Sequence, residues 1–199
     1  MTDLPVRKAI FLDRDGTLNE ERGYLRNVDD LDLIPGAAEA VKLFQQAGYL
    51  TVLTTNQSGV ARGFYGEDHL HALHDRLQKL LEAQAGVRLH AIFYSPFLPP
   101  DPRKELVPEF ARESRCRKPN PGMVEAACEE FPGIDLSQSW IIGDKATDVD
   151  FAVNCGCHSV LLKTGYGARV LEGKYQTLTH QPELICEDIL EAAHRITGA

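Results

Sequence analysis

Five short apolar runs, at residues 9–12, 50–53, 89–94, 139–142 and 159–162, constrain the fold of this chain more than any other feature. Each is nearly continuous where a half-exposed strand would alternate, which is the pattern of strands covered on both faces of a parallel sheet. Between the runs the apolar spacing changes to the helical period. It predicts helices over residues 37–47 stopped by Gly48, 67–85 stopped by Gly86, 121–131, and 147–154 stopped by Gly156. Asn120 and Pro121, a good N-cap residue and a good first-turn residue, open the third of these. A last helix at 187–196 follows a short sixth strand at 183–186. Strand alternating with helix specifies a doubly wound α/β sheet. With 199 residues and no internal repeat or low-complexity tract, the expectation is one domain spanning residues 1–199.

Ligands of such sheets bind beyond the carboxyl ends of the strands, and four polar clusters fall there. In the first, FLDRDGTL at residues 11–18, Asp13 and Asp15 stand one residue apart where a strand gives way to a glycine turn. Residues two apart in extended backbone point to the same side, so the two carboxylates are expected to share one pocket. Facing carboxylates repel unless a proton or cation lies between them. Mg²⁺, a hard ion that takes oxygen ligands, suits that gap. In the second cluster, LTTNQSG at residues 53–59, hydroxyls and amides of Thr55, Asn56, Gln57 and Ser58 end the next apolar run. The third places Arg117 and Lys118 just before a helix, and the fourth places Asp144, Lys145 and Asp148 after another strand.

Taken jointly, DRDGTLN at 13–19, GY at 23–24, TNQSGVARG at 55–63, RKPNPGM at 117–123 and GDK at 143–145 resemble the motifs of the haloacid dehalogenase superfamily. Within it they look like the heptose bisphosphate phosphatases and the related histidinol-phosphate phosphatases. The likeness runs from about residue 8 to residue 163. It implies a Rossmann-like sheet of the haloacid dehalogenase type and a Mg²⁺-dependent phosphomonoesterase. The implied substrate is a small phosphorylated metabolite, with the 7-phosphate of heptose 1,7-bisphosphate first and histidinol phosphate as the alternative. A non-catalytic phosphate-binding protein on the same fold is a more remote alternative.

By resemblance, Asp13 is the nucleophile and Asp15 the acid and then base. Asp144 binds Mg²⁺ with the Asp13 carboxylate and the Asp15 backbone carbonyl. Thr55 and Lys118 hold the phosphoryl oxygens, while Gly23, Tyr24, Asn56, Gln57, Ser58 and Arg117 face the rest of the substrate. Lys145 and Asp148 support the inner groups. Glu21 and Arg22 depart from the family's usual residues, so Gly23 and Tyr24 carry that segment. Relatives commonly hold a zinc ion through Cys-x-His and a later Cys-x-Cys before Arg-Lys-Pro. Here those positions are Ser95, Phe97, Ser114 and Cys116, and one thiol cannot build a tetrahedral site. No structural zinc is expected. The loop over residues 95–119 would instead be ordered by its prolines and by Phe97 and Phe110 packing inward.

The spans 18–36 and 59–67 leave room only for loops, so no large cap domain is expected. A net charge of −8 argues against a nucleic-acid backbone as partner. No apolar stretch approaches the roughly 20 residues that cross a bilayer, and the polar residues 1–8 lack a secretion-signal core. A cytoplasmic monomer with neither nucleic-acid nor membrane partners follows as the expectation, its five cysteines reduced. His69, His71 and His74 are placed on exposed faces of their helix, away from the stripe Leu70, Leu73, Leu77 and Leu81. Cys155 and Cys157 are read as inert buried thiols.

Overall fold

In the computed structural model, residues 6–199 are described, and the start of the polar N-terminal stretch lies outside them. Among the described residues, β1 (Lys8–Leu12), β2 (Tyr49–Asn56), β3 (Ala91–Ser95), β4 (Trp140–Gly143), β5 (His158–Leu162) and β6 (Leu184–Cys186) form one sheet in the order β3-β2-β1-β4-β5-β6. All neighbouring pairs run parallel. The chain leaves β1 toward β2 on one side and later returns to pair β4 on the other. The crevice between the ends of β1 and β4 is therefore the switch point where doubly wound sheets bind ligands. Leu12 aligns with both Leu53 and Ile142, so the residues that follow β1 and β4 emerge side by side.

Alternation explains why the apolar runs are unbroken. Ile10 and Leu12 of β1 and Leu53 of β2 face one layer, where they pack on Val41 and Phe44 of α1 (Ala37–Gln46), Leu73 and Leu77 of α2 (Glu67–Ala85), and Ile189 of the C-terminal helix. Ala9, Phe11, Val52 and Ile141 face the opposite layer. There they meet Met123, Val124 and Ala127 of α3 (Gly122–Glu130) and Phe151 and Ala152 of α4 (Ala146–Cys155). Both sides of each central strand are thus dry, and neither can carry polar residues cheaply.

The spacing did not indicate α5 (Gly167–Leu171), which is too short to show a period. It lies against β5 because Gly167 has no side chain: a Cβ there would stand 1.6 Å from the Leu162 carbonyl oxygen. The last helix, α6, spans Ile189–Thr197 and is capped by Asp188, whose carboxylate accepts from Glu191 N. Asn120 does not cap α3; its Nδ2 donates to Ser114 O at 3.0 Å and closes the preceding loop, while Pro121 stands at the helix start.

Of the three α2 histidines, His74 departs from expectation. His71 is exposed and pairs with the Tyr94 hydroxyl at 2.8 Å, and His69 Nε2 donates to Leu25 O at 2.9 Å. His74 is buried at 5 % exposure. Position 74 is four residues after Leu70 and three before Leu77, so it falls inside the leucine stripe itself. Burial, with Arg14 and His71 nearby, pushes its pKa down from 6.5 to about 3. The unfolded chain then takes up a proton below pH 6.5 that the folded chain refuses, so stability is lost as pH falls from 6.5 toward 3. The slope from this group is about 1.4 kcal/mol per pH unit. His74→Leu should remove it: urea midpoints of the variant will fall less than those of wild type between about pH 6.5 and 4.5. Parallel losses would refute the assignment.

Candidate active site

The connections that follow β1, β2, β3, β4 and β5 converge on a cavity of about 320 Å³ lined by Asp13, Asp15, Asn56, Gln57, Ser58, Lys118 and Lys145 among others. Asp13 follows β1 directly, its N–H donating to Ile142 O at 3.0 Å, so β4 sets its position. Its carboxylate lies 2.9 Å from Lys118 Nζ and 3.5 Å from Lys145 Nζ. Lys118 reaches this point because its loop is clamped to β2: Asn56 Nδ2 donates to Lys118 O at 3.1 Å, and Lys118 N donates to Asn56 Oδ1 at 3.0 Å. Asp148, on the first turn of α4, accepts from Lys118 Nζ at 2.6 Å and from Lys145 N at 3.1 Å. It caps its own helix and orients the lysine at once.

Asp144 is fully buried. Gly16 and Gly165 close over it: a Cβ on Gly16 would lie 2.4 Å from Asp144 Oδ2, and one on Gly165 2.1 Å. Gly16 also has φ +79°, a conformation that side chains disfavour. One carboxylate oxygen of Asp144 accepts from Tyr166 N at 2.8 Å and the other from Lys145 Nζ at 3.0 Å.

The charges here are strongly coupled. Burial works against an ionised Asp13, but Lys118 and Lys145 overcome it and hold the carboxyl well below the usual carboxylate range. Burial raises Asp144 to about 7 despite Lys145, and it raises Asp148 despite Lys118. Both lysines are held protonated, against their own burial, by the surrounding carboxylates.

Asp13, Asp144 and Asp148 each bring a carboxylate oxygen within 4.8 Å of the others. Ionised together, the three acids would outnumber the two ammonium groups, and an all-oxygen donor set of this kind fits a hard divalent cation. The expectation that the cation lies between the Asp13 and Asp15 carboxylates is corrected. The Asp15 carboxylate turns from the acidic cluster because it is already saturated: Arg14 Nη2 donates to both of its oxygens at 2.9 Å, Asn19 Nδ2 at 3.0 Å and Gln57 Nε2 at 2.9 Å. Arg14 has its guanidinium buried, 1 % exposed, and neutralises the second carboxylate in place of a metal.

Thr55 is buried beneath Gln57, which donates to its hydroxyl at 3.0 Å, and stands behind the lining of the cavity. Gly23 and Tyr24 do line it. So does Glu21, which accepts from Gly23 N at 2.7 Å and lies 3.5 Å from Lys145. Arg117 also faces the cavity and is no free surface cation: its Nη1 donates to Phe97 O at 2.9 Å, and burial together with the neighbouring Arg62 lowers its pKa.

The long loop is ordered by local contacts. Phe97 and Phe110 pack at 6.1 Å, Leu98 N donates to Phe110 O at 3.1 Å, and Val107 N donates to Ala61 O at 2.8 Å. Ser95 is fully buried, and Cys116 packs on the α3 layer.

Further residues reach the cavity that sequence reasoning did not assign: Arg62, Tyr65, Thr147, Tyr166, Tyr175 and Gln176. Arg62 was visible inside the 55–63 motif. Thr147 sits in the first turn of α4 between the assigned Lys145 and Asp148, and Tyr65, Tyr166, Tyr175 and Gln176 lie in connections whose composition carries no signal.

The HAD-hydrolase-like family profile matches residues 115–192. Among curated relatives, D-glycero-D-manno-heptose-1,7-bisphosphate 7-phosphatase of Thermosynechococcus vestitus is 50% identical over 190 residues, 96% of this chain and 95% of its own length. D-glycero-beta-D-manno-heptose-1,7-bisphosphate 7-phosphatase of Haemophilus ducreyi is 41% identical over 80% of this chain and 85% of its own. A solved structure of D,D-heptose 1,7-bisphosphate phosphatase from B. bronchiseptica, complexed with magnesium and phosphate, superposes with a TM-score of 0.81 at 33% identity, covering 96% of this chain and 98% of that one.

The acidic cluster generates a binding prediction. Asp144→Ala should weaken Mg²⁺ binding, followed by calorimetry, by more than the roughly 10–100-fold that loss of an outer partner costs. Asp15→Asn, which keeps its backbone carbonyl, should weaken it far less. Equal losses would return the cation to the gap between Asp13 and Asp15.

Proposed function

The chain belongs to the haloacid dehalogenase-like phosphatases that include the heptose-bisphosphate 7-phosphatases, and on that premise we propose how its cavity works and on what. It is a Mg²⁺-dependent phosphomonoesterase. The substrate we propose is D-glycero-D-manno-heptose 1,7-bisphosphate, losing its 7-phosphate to a single-domain enzyme that acts as a monomer in the cytoplasm. The observation that carries the reading is the Asp13 carboxylate on the cavity wall, 2.9 Å from a buried Lys118 ammonium, with Asp15 lining the same space.

In the first half-reaction an Asp13 carboxylate oxygen attacks phosphorus, the bond from phosphorus to the sugar oxygen breaks, and Asp15 gives that oxygen a proton. In the second, Asp15 takes a proton from water. The water oxygen attacks phosphorus, the bond to Asp13 breaks, and inorganic phosphate leaves. To deliver its proton Asp15 must exchange one of its present donors, and the Gln57 amide is the one that also lines the cavity. Lys118 steadies the transferring phosphoryl group as a point charge, with Asp148 fixing its ammonium. Mg²⁺, which Asp13, Asp144 and the Asp15 carbonyl would hold, supplies charge that offsets repulsion between the carboxylate and the arriving phosphate. Thr55 acts through Gln57 unless that amide moves. Arg117 and Arg62 form a basic corner suited to a second phosphate, with Gly23, Tyr24, Asn56 and Ser58 completing the wall.

A turnover screen with Mg²⁺ tests the substrate. Heptose 1,7-bisphosphate should exceed histidinol phosphate and simple monophosphates; preference for histidinol phosphate would select the other branch of the family.

Asp13→Asn should abolish phosphate release with the fold intact, and wild-type-like turnover would exclude the covalent route. Asp15→Asn should cost most with alkyl phosphates and least with aryl phosphates, whose leaving groups need no proton; equal losses would remove its acid role. Arg117→Ala should weaken action on the bisphosphate by about 1.5–3 kcal/mol more than on a monophosphate, the range for a lost charged hydrogen bond. Matching losses on the two substrates would deny it a second phosphate. Elemental analysis should find no stoichiometric zinc, and zinc in the 95–116 segment would overturn the reading of Ser95, Phe97, Ser114 and Cys116.

A further inference from the structure

Tyr166 and Tyr175 line the cavity together, their rings stacked with centroids 4.2 Å apart and 10° from parallel. Tyr166 lies in the turn after β5, where its N–H holds Asp144, and its ring centroid is 5.4 Å from Lys145 Nζ. The stack therefore begins beside Asp144 and Lys145 of the acidic cluster. Tyr175 comes from the strap over residues 172–183 that crosses α4 before β6.

That strap is fixed in place. Lys174 N donates to Arg169 O at 2.8 Å, and Gln176 accepts from Thr147 N at 3.4 Å. Leu178 packs with Ala146 and Val149, and Asp150 binds Thr179 Oγ1 and pairs with His180 at 2.9 Å. Neither tyrosine belongs to a hydrophobic core cluster, and Tyr175 is 44 % exposed. A stack made for packing would be covered.

The rest of the cavity offers cations, carboxylates and amides, which suit phosphates and hydroxyls. An aromatic face is negative: it draws cations, here Lys145 at 5.4 Å from Tyr166 and Arg169 at 5.8 Å from Tyr166 and 5.7 Å from Tyr175, and it also suits the C–H hydrogens of a ligand, which the rest of the cavity does not. The substrate class that combines these in one molecule is a phosphorylated sugar in ring form, with a C–H face beside its hydroxyls. We propose that the Tyr166–Tyr175 stack is the platform on which the sugar ring lies, and that it selects ring sugars over ringless phosphates. This rests on the phosphatase reading of the same cavity.

The test compares wild type, Tyr175→Ala, Tyr175→Leu and Tyr175→Phe on heptose 1,7-bisphosphate, mannose 6-phosphate and ringless acetyl phosphate, each with Mg²⁺. Tyr175 is chosen because Tyr166 touches Asp144. Tyr175→Ala and Tyr175→Leu should raise KM for the ring sugars about tenfold, with smaller changes in kcat and a smaller loss on acetyl phosphate. Tyr175→Phe, which keeps the ring, should stay near wild type. If alanine unfolds the strap, seen by circular dichroism, the leucine and phenylalanine pair carries the comparison. Equal losses on ring and ringless substrates, no loss on ring sugars, or phenylalanine no better than leucine would overturn the platform. Dependence on Tyr175 with mannose 6-phosphate but no turnover of the heptose would uphold the platform and overturn the proposed substrate.

Discussion

The buried ion network of Asp13, Lys118 and Asp148 is what the rest of the site depends on. Its members follow β1, precede α3 and open α4, so three separate connections meet through one ammonium group. Two carboxylates and a lysine taken out of water lose a large solvation energy, and only close pairing compensates for it. Removing one partner from such a network typically costs about 3–5 kcal/mol, because the remaining charge is buried alone. The same closeness that stabilises the fold at this point keeps Asp13 ionised at its place on the cavity wall.

Small residues and amide contacts, rather than a covering domain, shape the remainder. Gly16 and Gly165 approach each other so closely that Asp144 is sealed from solvent between them. The reciprocal Asn56–Lys118 bonds fasten the β2 end to the long loop, whose backbone is in turn tied to Ala61 and to Arg117. The cavity is thereby divided by chemistry: cations and carboxylates at its base, a pair of guanidinium groups at one side, and stacked tyrosines at another.

Asp13 and Asp15 show how neighbouring carboxylates acquire different surroundings. Asp13 faces two ammonium groups and two other acids. Asp15 is enclosed by planar donors from Arg14, Asn19 and Gln57. Arg14 makes that separation, since a bidentate guanidinium fixes both the charge and the direction of the carboxylate it binds.

Unbroken apolar runs and glycine stops record burial and turn geometry locally, so the strands, most helices, their parallel arrangement and the four strand-end clusters were legible in the chain. The resemblance of five motifs also put Asp13, Asp15, Lys118 and Asp144 among the candidate site residues. Which groups touch was set by contacts between segments far apart in the chain. Asp15 carries the same charge as Asp13 in any pattern, yet its partner is Arg14, because side-chain direction beyond a strand's end is set by contacts between distant segments. His74 was misplaced because a stripe of leucines does not reveal how wide its buried face is. Tyr166, Tyr175 and Gln176 were illegible for a related reason: they lie in connections with no periodicity, and they reach the cavity only because Asp150, Thr147 and the layer around Leu178 hold the strap across α4.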